Sequence, residues 1–224
     1  MIPRDSRLIY FLDPAKAIDG IVALGGPLTA TNLLRAYCSG IFPWPVNEDI
    51  IPWCCPEERG ILEFNELHIP RRLARTRKQS TFHFTIDRSF PQVITHCATV
   101  QREHESGTWI TEQMIDAYCE LHRQGHAHSV EVWEGTDLVG GLYGVDACGS
   151  FSGESMFSLR SNASKLALLF LIEHLKERGL DWIDIQMVTP HLEALGAKTI
   201  SRADYLERLT ATQKCRLILF PPTG

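Results

Sequence analysis

A chain of 224 residues is long enough to bury a full core, and 44% hydrophobic against 22% charged residues is ordinary for a globular domain and implies no disorder. A formal net charge of −5, from 22 basic and 27 acidic residues, argues against nonspecific coating of nucleic acid. No uncharged apolar run approaches the ~20 residues that span a bilayer, and the opening Met1 to Gly20 lacks the basic-then-apolar layout of a secretory signal.

Seven cysteines, an odd number with no C-x-x-C pair or other zinc spacing, fit a reduced cytoplasmic protein. Leu24-Gly25-Gly26-Pro27 reads as a turn, followed by a helix over Thr29 to Ser39 with Thr29 as N-cap and Gly40 as stop. The next segment sets Trp44 and Trp53 among prolines, a composition that suits either a rigid pocket wall or loop packing. A domain boundary is placed near residue 60.

Pro70 can open a helix over Arg71 to Gln79. It brings Arg71, Arg72, Arg75, Arg77 and Lys78 together, five positive charges within eight residues. Arg71, Arg75 and Lys78 share one face, which suits either phosphates or plain solvation. Phe82 to Ile86 alternates like a strand, Asp87 is expected to cap a helix through Cys97, and Thr111 to cap a second helix that ends at Gly125.

His126 to Lys165 organises the rest of the chain. It predicts three antiparallel strands, Ser129 to Trp133, Leu138 to Tyr143 and Ser150 to Phe157, joined by turn-rich tetrapeptides. Gly140-Gly141 inside the second strand marks a bulge or the close approach of another backbone or a ligand. A nearly apolar helix over Ala163 to Glu177 should be buried against this sheet, with a strand at Leu180 to Val188 behind it. A short helix near His191, a strand at Lys198 to Ile200, a helix opened by the capping box at Ser201, and a last strand over Arg216 to Phe220 complete the expected elements.

Alternation along the Leu180 to Val188 strand points Asp184 and Gln186 the same way. With Glu154 on the third meander strand, and Ser155 and Asn162 close by in sequence, they are the site candidates. A carboxylate and an amide on one strand face can orient an amine and accept its proton, as acyl transfer to nitrogen requires. The same residues also suit a hydrogen-bonded core network. His126 and His128 offer two metal ligands but no third at a recognisable spacing, so no metal is expected.

The meander, buried helix and following strand resemble the acyl-CoA-dependent N-acetyltransferase fold. The expected class is therefore α+β, with a small N-terminal domain over residues 1–60 and an N-acetyltransferase-like (GNAT-like) domain over 61–224, a mostly antiparallel mixed sheet flanked by helices. The segment Arg160-Ser161-Asn162-Ala163-Ser164-Lys165 lacks both glycines of the pyrophosphate-binding pattern of that fold. GIFPWP, HIPRRLAR, GTWIT, GHAHSVEVW, LVGGLYGV, FSGESMFS, NASK, IDIQ and LGA occur in the order found in bacterial leucyl/phenylalanyl-tRNA–protein transferases, from about Leu24 to Tyr205. The chain resembles that family.

The resemblance implies transfer of leucine or phenylalanine, less often methionine, from Leu-tRNA or Phe-tRNA to the α-amino group of proteins beginning with Arg or Lys, marking them for N-end rule degradation. No cofactor is implied, because the tRNA ester is already activated, and a cytoplasmic monomer is expected. By the same resemblance Asp184 and Gln186 form a catalytic relay, and Glu154 places the amino group of the aminoacyl moiety. Trp44 and Trp109 wall the terminal adenosine, Leu142, Met156, Phe157 and Leu171 form the donor pocket, and Arg71, Arg72, Arg75 and Lys78 contact tRNA. An acyl-CoA-dependent N-acetyltransferase and a noncatalytic tRNA-binding protein are the alternatives.

Overall fold

The computed structural model describes residues 8–46, 50–99 and 110–221. Trp109 lies outside them. Thr29 caps α1 (Ala30–Cys38) by accepting a hydrogen bond from the Asn32 amide, and Thr111 caps α4 (Glu112–Arg123) in the same way through Met114. Both caps satisfy an amide that the first helical turn leaves without a partner.

Two sheets carry the architecture. Three short antiparallel strands near the N-terminus, β1 (Ile21–Leu24), β2 (Phe42–Pro43) and β3 (Pro52–Cys54), are ordered β1-β3-β2. The larger sheet takes β4 (Glu58–Glu63), β5 (His83–Ile86), β6 (Ala127–Glu134), β7 (Asp137–Asp146), β8 (Phe151–Ser158), β9 (Trp182–Gln186) and β10 (Lys198–Ser201) in the order β10-β4-β9-β8-β7-β6-β5. Every neighbouring pair in it is antiparallel except β8 and β9. This is the expected α+β class.

Between β8 and β9 the chain crosses over through α5 (Ala163–Glu177), which buries Leu166, Leu169, Ile172 and Leu175 among Val130, Val132 and Leu142 of the sheet. Each such leucine contributes roughly 1.5–3 kcal/mol on burial, enough to fix the helix. On the opposite side, α3 (Phe90–Thr99) and α4 pack Phe90, Val93, Tyr118 and Leu121 with α1 and with Tyr143 and Val145 of β7. Gly140 explains itself in this packing: a β-carbon there would lie 2.5 Å from the Ala163 side chain, so its bare backbone admits the first turn of α5.

Three expectations change. Asp87 does not cap α3; it has a φ of 59° and bonds His128 Nδ1 and the Ser129 amide. The amides of Arg88 and Ser89 donate instead to Glu131 of β6, a buried carboxylate reached only through the β5–β6 pairing. The strand expected at Leu180 to Val188 is cut short at Gln186, whose φ of 56° turns the chain out of the sheet. Arg216 to Phe220 forms no strand; the Phe220 ring stacks on His128 at 3.8 Å. The remaining helices are α2 (Arg71–Gln79), α6 (Pro190–Glu193) and α7 (Arg202–Lys214).

Candidate active site

The parallel pair β8–β9 has a single registered partnership, Ser152 with Asp184. Beyond it the strands part, and a cleft of about 650 Å³ opens against the first half of α5 and the segment around β2. Leu142 from β7, Met156 and Phe157 from β8, and Leu168 and Leu171 from α5 make its apolar lining. Glu154, Ser155 and Gln186 supply polar groups, and Trp44 stands on the β2 side.

Gln186 sits in the left-handed region, a conformation that costs a side chain of this kind on the order of 1 kcal/mol or more and persists only where its surroundings enforce it. Two features do so. The Gln186 amide donates to Asp184 Oδ1 at 2.9 Å, and Gly60 lies across the β4–β9 pairing from Gln186. A β-carbon on Gly60 would come within 2.9 Å of the Met187 backbone. Gly60→Ala is therefore expected to push the β9 exit aside and lower the turnover number about 100-fold while the protein stays folded, as circular dichroism and initial rates would show together.

Asp184 is fully buried and saturated with donors. Arg59 grips it with Nε to Oδ1 at 2.8 Å and Nη2 to Oδ2 at 2.6 Å. Ser152 Oγ and Tyr205 Oη donate to Oδ2 at 2.7 and 3.0 Å. Burial alone would raise the Asp184 pKa, but the charge and fork of Arg59 outweigh it and hold the carboxyl below the usual range. It is an ionised anchor rather than a free base.

Glu154 behaves oppositely. Gln186 Nε2 donates to its Oε1 at 2.5 Å and Tyr118 Oη to its Oε2 at 3.2 Å, while Tyr37 and Tyr118 share a 2.5 Å hydroxyl contact. Desolvation raises its pKa to about 7, with the Asp184 charge pushing the same way and the donors opposing. Two neighbouring carboxyls pushed apart in this manner take different roles. With Nε2 engaged, Gln186 Oε1 has no protein partner among the described residues and can accept from an incoming N–H.

The sequence model described as leucyl/phenylalanyl-tRNA protein transferase matches residues 61–210, and the one described as the N-terminal domain of that transferase matches residues 26–57. The chain belongs to this family. Among its relatives, a leucyl/phenylalanyl-tRNA–protein transferase of Hydrogenovibrio crunogenus is 49% identical over 208 residues, covering 92% of this chain and 81% of the relative. One of Shewanella sp. (strain W3-18-1) is 47% identical over 192 residues, covering 86% and 81%. A solved structure, L-PGS from Bacillus licheniformis, overlaps 66% of this chain and 48% of its own at 15% identity and a TM-score of 0.40, too slight a likeness to bear on the site.

As a member of the transferase family the chain is an aminoacyltransferase. Of the residues singled out from sequence, Glu154, Ser155, Gln186, Trp44, Leu142, Met156, Phe157 and Leu171 come together in the cleft. Asp184 lies behind it, and Asn162 bonds its neighbour Ser161 at the start of α5, outside the lining. Arg71, Arg72, Arg75 and Lys78 are exposed on α2 and form no ion pair among the described residues, whereas Arg77 pairs with Glu173.

Sequence reasoning missed Arg59, Ser152, Tyr205, Tyr37 and Tyr118, as well as Lys165 and His191 at the cleft. The one usable signal was Arg59 itself, a cation immediately before Gly60-Ile61-Leu62, where a buried strand has no cheap place for charge.

Proposed function

We propose that this chain transfers leucine, phenylalanine or, less often, methionine from aminoacyl-tRNA to the α-amino group of proteins that begin with Arg or Lys, so marking them for N-end rule degradation in the cytoplasm. The observation that carries the reading is the Gln186–Glu154 pair at the edge of an apolar cleft. Among the described residues no helix is long and apolar enough to cross a membrane.

The acceptor amine forms a bond to the ester carbonyl carbon, the bond from that carbon to the ribose oxygen breaks, and the amine proton leaves with that oxygen. An α-amino group has a reference pKa of about 7.7–8.0, so a usable fraction is neutral near pH 7 and orientation counts for more than a strong base. Gln186 Oε1 takes an N–H of the attacking amine, Asp184 fixes Gln186 from behind, and the Glu154 carboxylate receives the ammonium of the donor aminoacyl group. The donor side chain lies among Leu142, Met156, Phe157 and Leu171, in a cleft whose lining is apolar and wide enough for a branched or aromatic group. Trp44 stacks on the terminal adenosine from one side, with Trp109 as its partner.

The basic face of α2 serves the tRNA backbone. Arg71→Ala with Arg75→Ala is expected to weaken tRNA binding and to lower the slope of log affinity against log salt by about 2, one for each phosphate contact removed. Filter binding at several salt concentrations measures this, and an unchanged slope would rule α2 out. The transfer itself is tested with labelled Leu-tRNA, no ATP or CoA, and peptides beginning with Arg, with Ala, or with acetylated Arg. Label is expected in the first alone; label in the acetylated peptide, or in none, would overturn the reading.

A further inference from the structure

Arg59 is 1% exposed, yet its guanidinium makes four hydrogen bonds behind the cleft, to Asp184, the Gly40 carbonyl and Tyr205. Toward β9 its fork closes on both oxygens of Asp184. Toward the N-terminal segment Nη1 donates to the Gly40 carbonyl at 3.2 Å, and the guanidinium lies 4.6 Å from the centre of the Phe42 ring. Phe42 lines the cleft and packs edge-on against Trp44, with ring centres 6.1 Å apart. Tyr205 of α7 closes the back, its ring 4.4 Å from the guanidinium and its hydroxyl shared between Arg59 and Asp184.

A buried ion pair of this kind is poor evidence of stabilisation, since apolar residues of similar volume often do as well or better. Its placement points elsewhere. Asp184 holds the Gln186 amide and so the left-handed turn that aims the Gln186 side chain at Glu154. Phe42 and Trp44 form the facing wall. We propose that Arg59 is a positioning residue for aminoacyl transfer, one guanidinium that sets Gln186 through Asp184 and at the same time seats the Phe42–Trp44 wall, registering the amine side of the reaction against the adenosine side. The role rests on the transfer reaction proposed above.

Arg59→Met and Arg59→Lys test it, assayed in single turnover beside the wild-type protein. The groups facing Asp184 are Arg59 and Gly60 from β4, Ser152 and Glu154 from β8, Tyr205 from α7, Gln186 beside it, and Cys55 before β4. Arg59 is the one cation among them, so in Arg59→Met burial is opposed only by the Ser152, Tyr205 and Gln186 hydrogen bonds and the Asp184 pKa moves up. Transfer should fall about 100-fold at pH 7, with a raised KM for tRNA, and the ratio of variant to wild-type rate should climb as pH rises and Asp184 ionises. Arg59→Lys keeps the charge without the fork and should lose on the order of tenfold in turnover.

A purely structural Arg59 would lower the melting temperature and leave turnover per folded molecule and its pH profile as in the wild type, which overturns the proposal. If Arg59→Met does not fold, Arg59→Lys decides, and wild-type turnover in it overturns the proposal equally. Absence of transfer by the wild-type protein would instead remove the reaction on which the role depends.

Discussion

Asp184→Ala is expected to destabilise the fold by about 3–5 kcal/mol, the usual cost of removing one partner of a buried ion pair. The cost comes from what remains: Arg59 stays buried without a counter-charge, and Ser152, Tyr205 and the Gln186 amide lose their acceptor. Urea unfolding at pH 7 measures it. A change under about 1 kcal/mol would mean that the carboxylate holds nothing in place.

The same pair gives a pH dependence whose sign is fixed. The folded pKa of Asp184 lies below its unfolded value, so its contribution to stability is present above about pH 3.9 and is lost as pH falls through the depressed folded value. Asp184→Ala should therefore cost most at neutral pH and progressively less in acid.

Glu154→Gln is the second large effect, and it works on rate. The Gln186 amide nitrogen can only donate to Glu154, and hydrogen bonds from Tyr37 and Tyr118 also favour its carboxylate form. Wild-type turnover should rise as pH climbs through about 7, where Glu154 ionises. Glu154→Gln should lose the limb near 7, keep only the rise that comes from deprotonation of the acceptor amine, and turn over about 100-fold more slowly at pH 8. Stability should move the other way. A carboxyl whose folded pKa is raised contributes most below its unfolded value and costs stability as pH rises from about 4.5 to about 7. The variant is thus expected to unfold at a higher temperature than the wild type at pH 8, and a wild-type rate profile in it would remove Glu154 from the chemistry.

Local chemistry was legible in the sequence wherever a residue acts on its own neighbours. Thr29 and Thr111 cap helices because a threonine three residues before an amide reaches it without help from the fold. The turn-rich tetrapeptides placed β6, β7 and β8 within a few residues, and the apolar run of α5 announced a buried helix. Asp87 failed as a cap because its rival, Glu131, arrives from another strand through a pairing no local pattern records.

The site divides in the same way. Glu154 and Gln186 stood out as polar residues among apolar strand neighbours, and both reach the cleft. Alternation also placed Asp184 on their side, but whether it faces substrate or interior depends on Arg59, 125 residues earlier in the chain. Tyr118 sits among the inward residues of an amphipathic helix, and nothing in its spacing shows that its hydroxyl ends on a carboxylate.

Single-turnover transfer of labelled leucine from Leu-tRNA to an Arg-initiated peptide, compared between wild type and Gln186→Ala with tRNA affinity measured separately, tests whether Gln186 orients the attacking amine. A fall of about 100-fold or more in the transfer step is expected with tRNA affinity unchanged, because Gln186 orients the amine and not the tRNA. Equal transfer rates in the two proteins would contradict it.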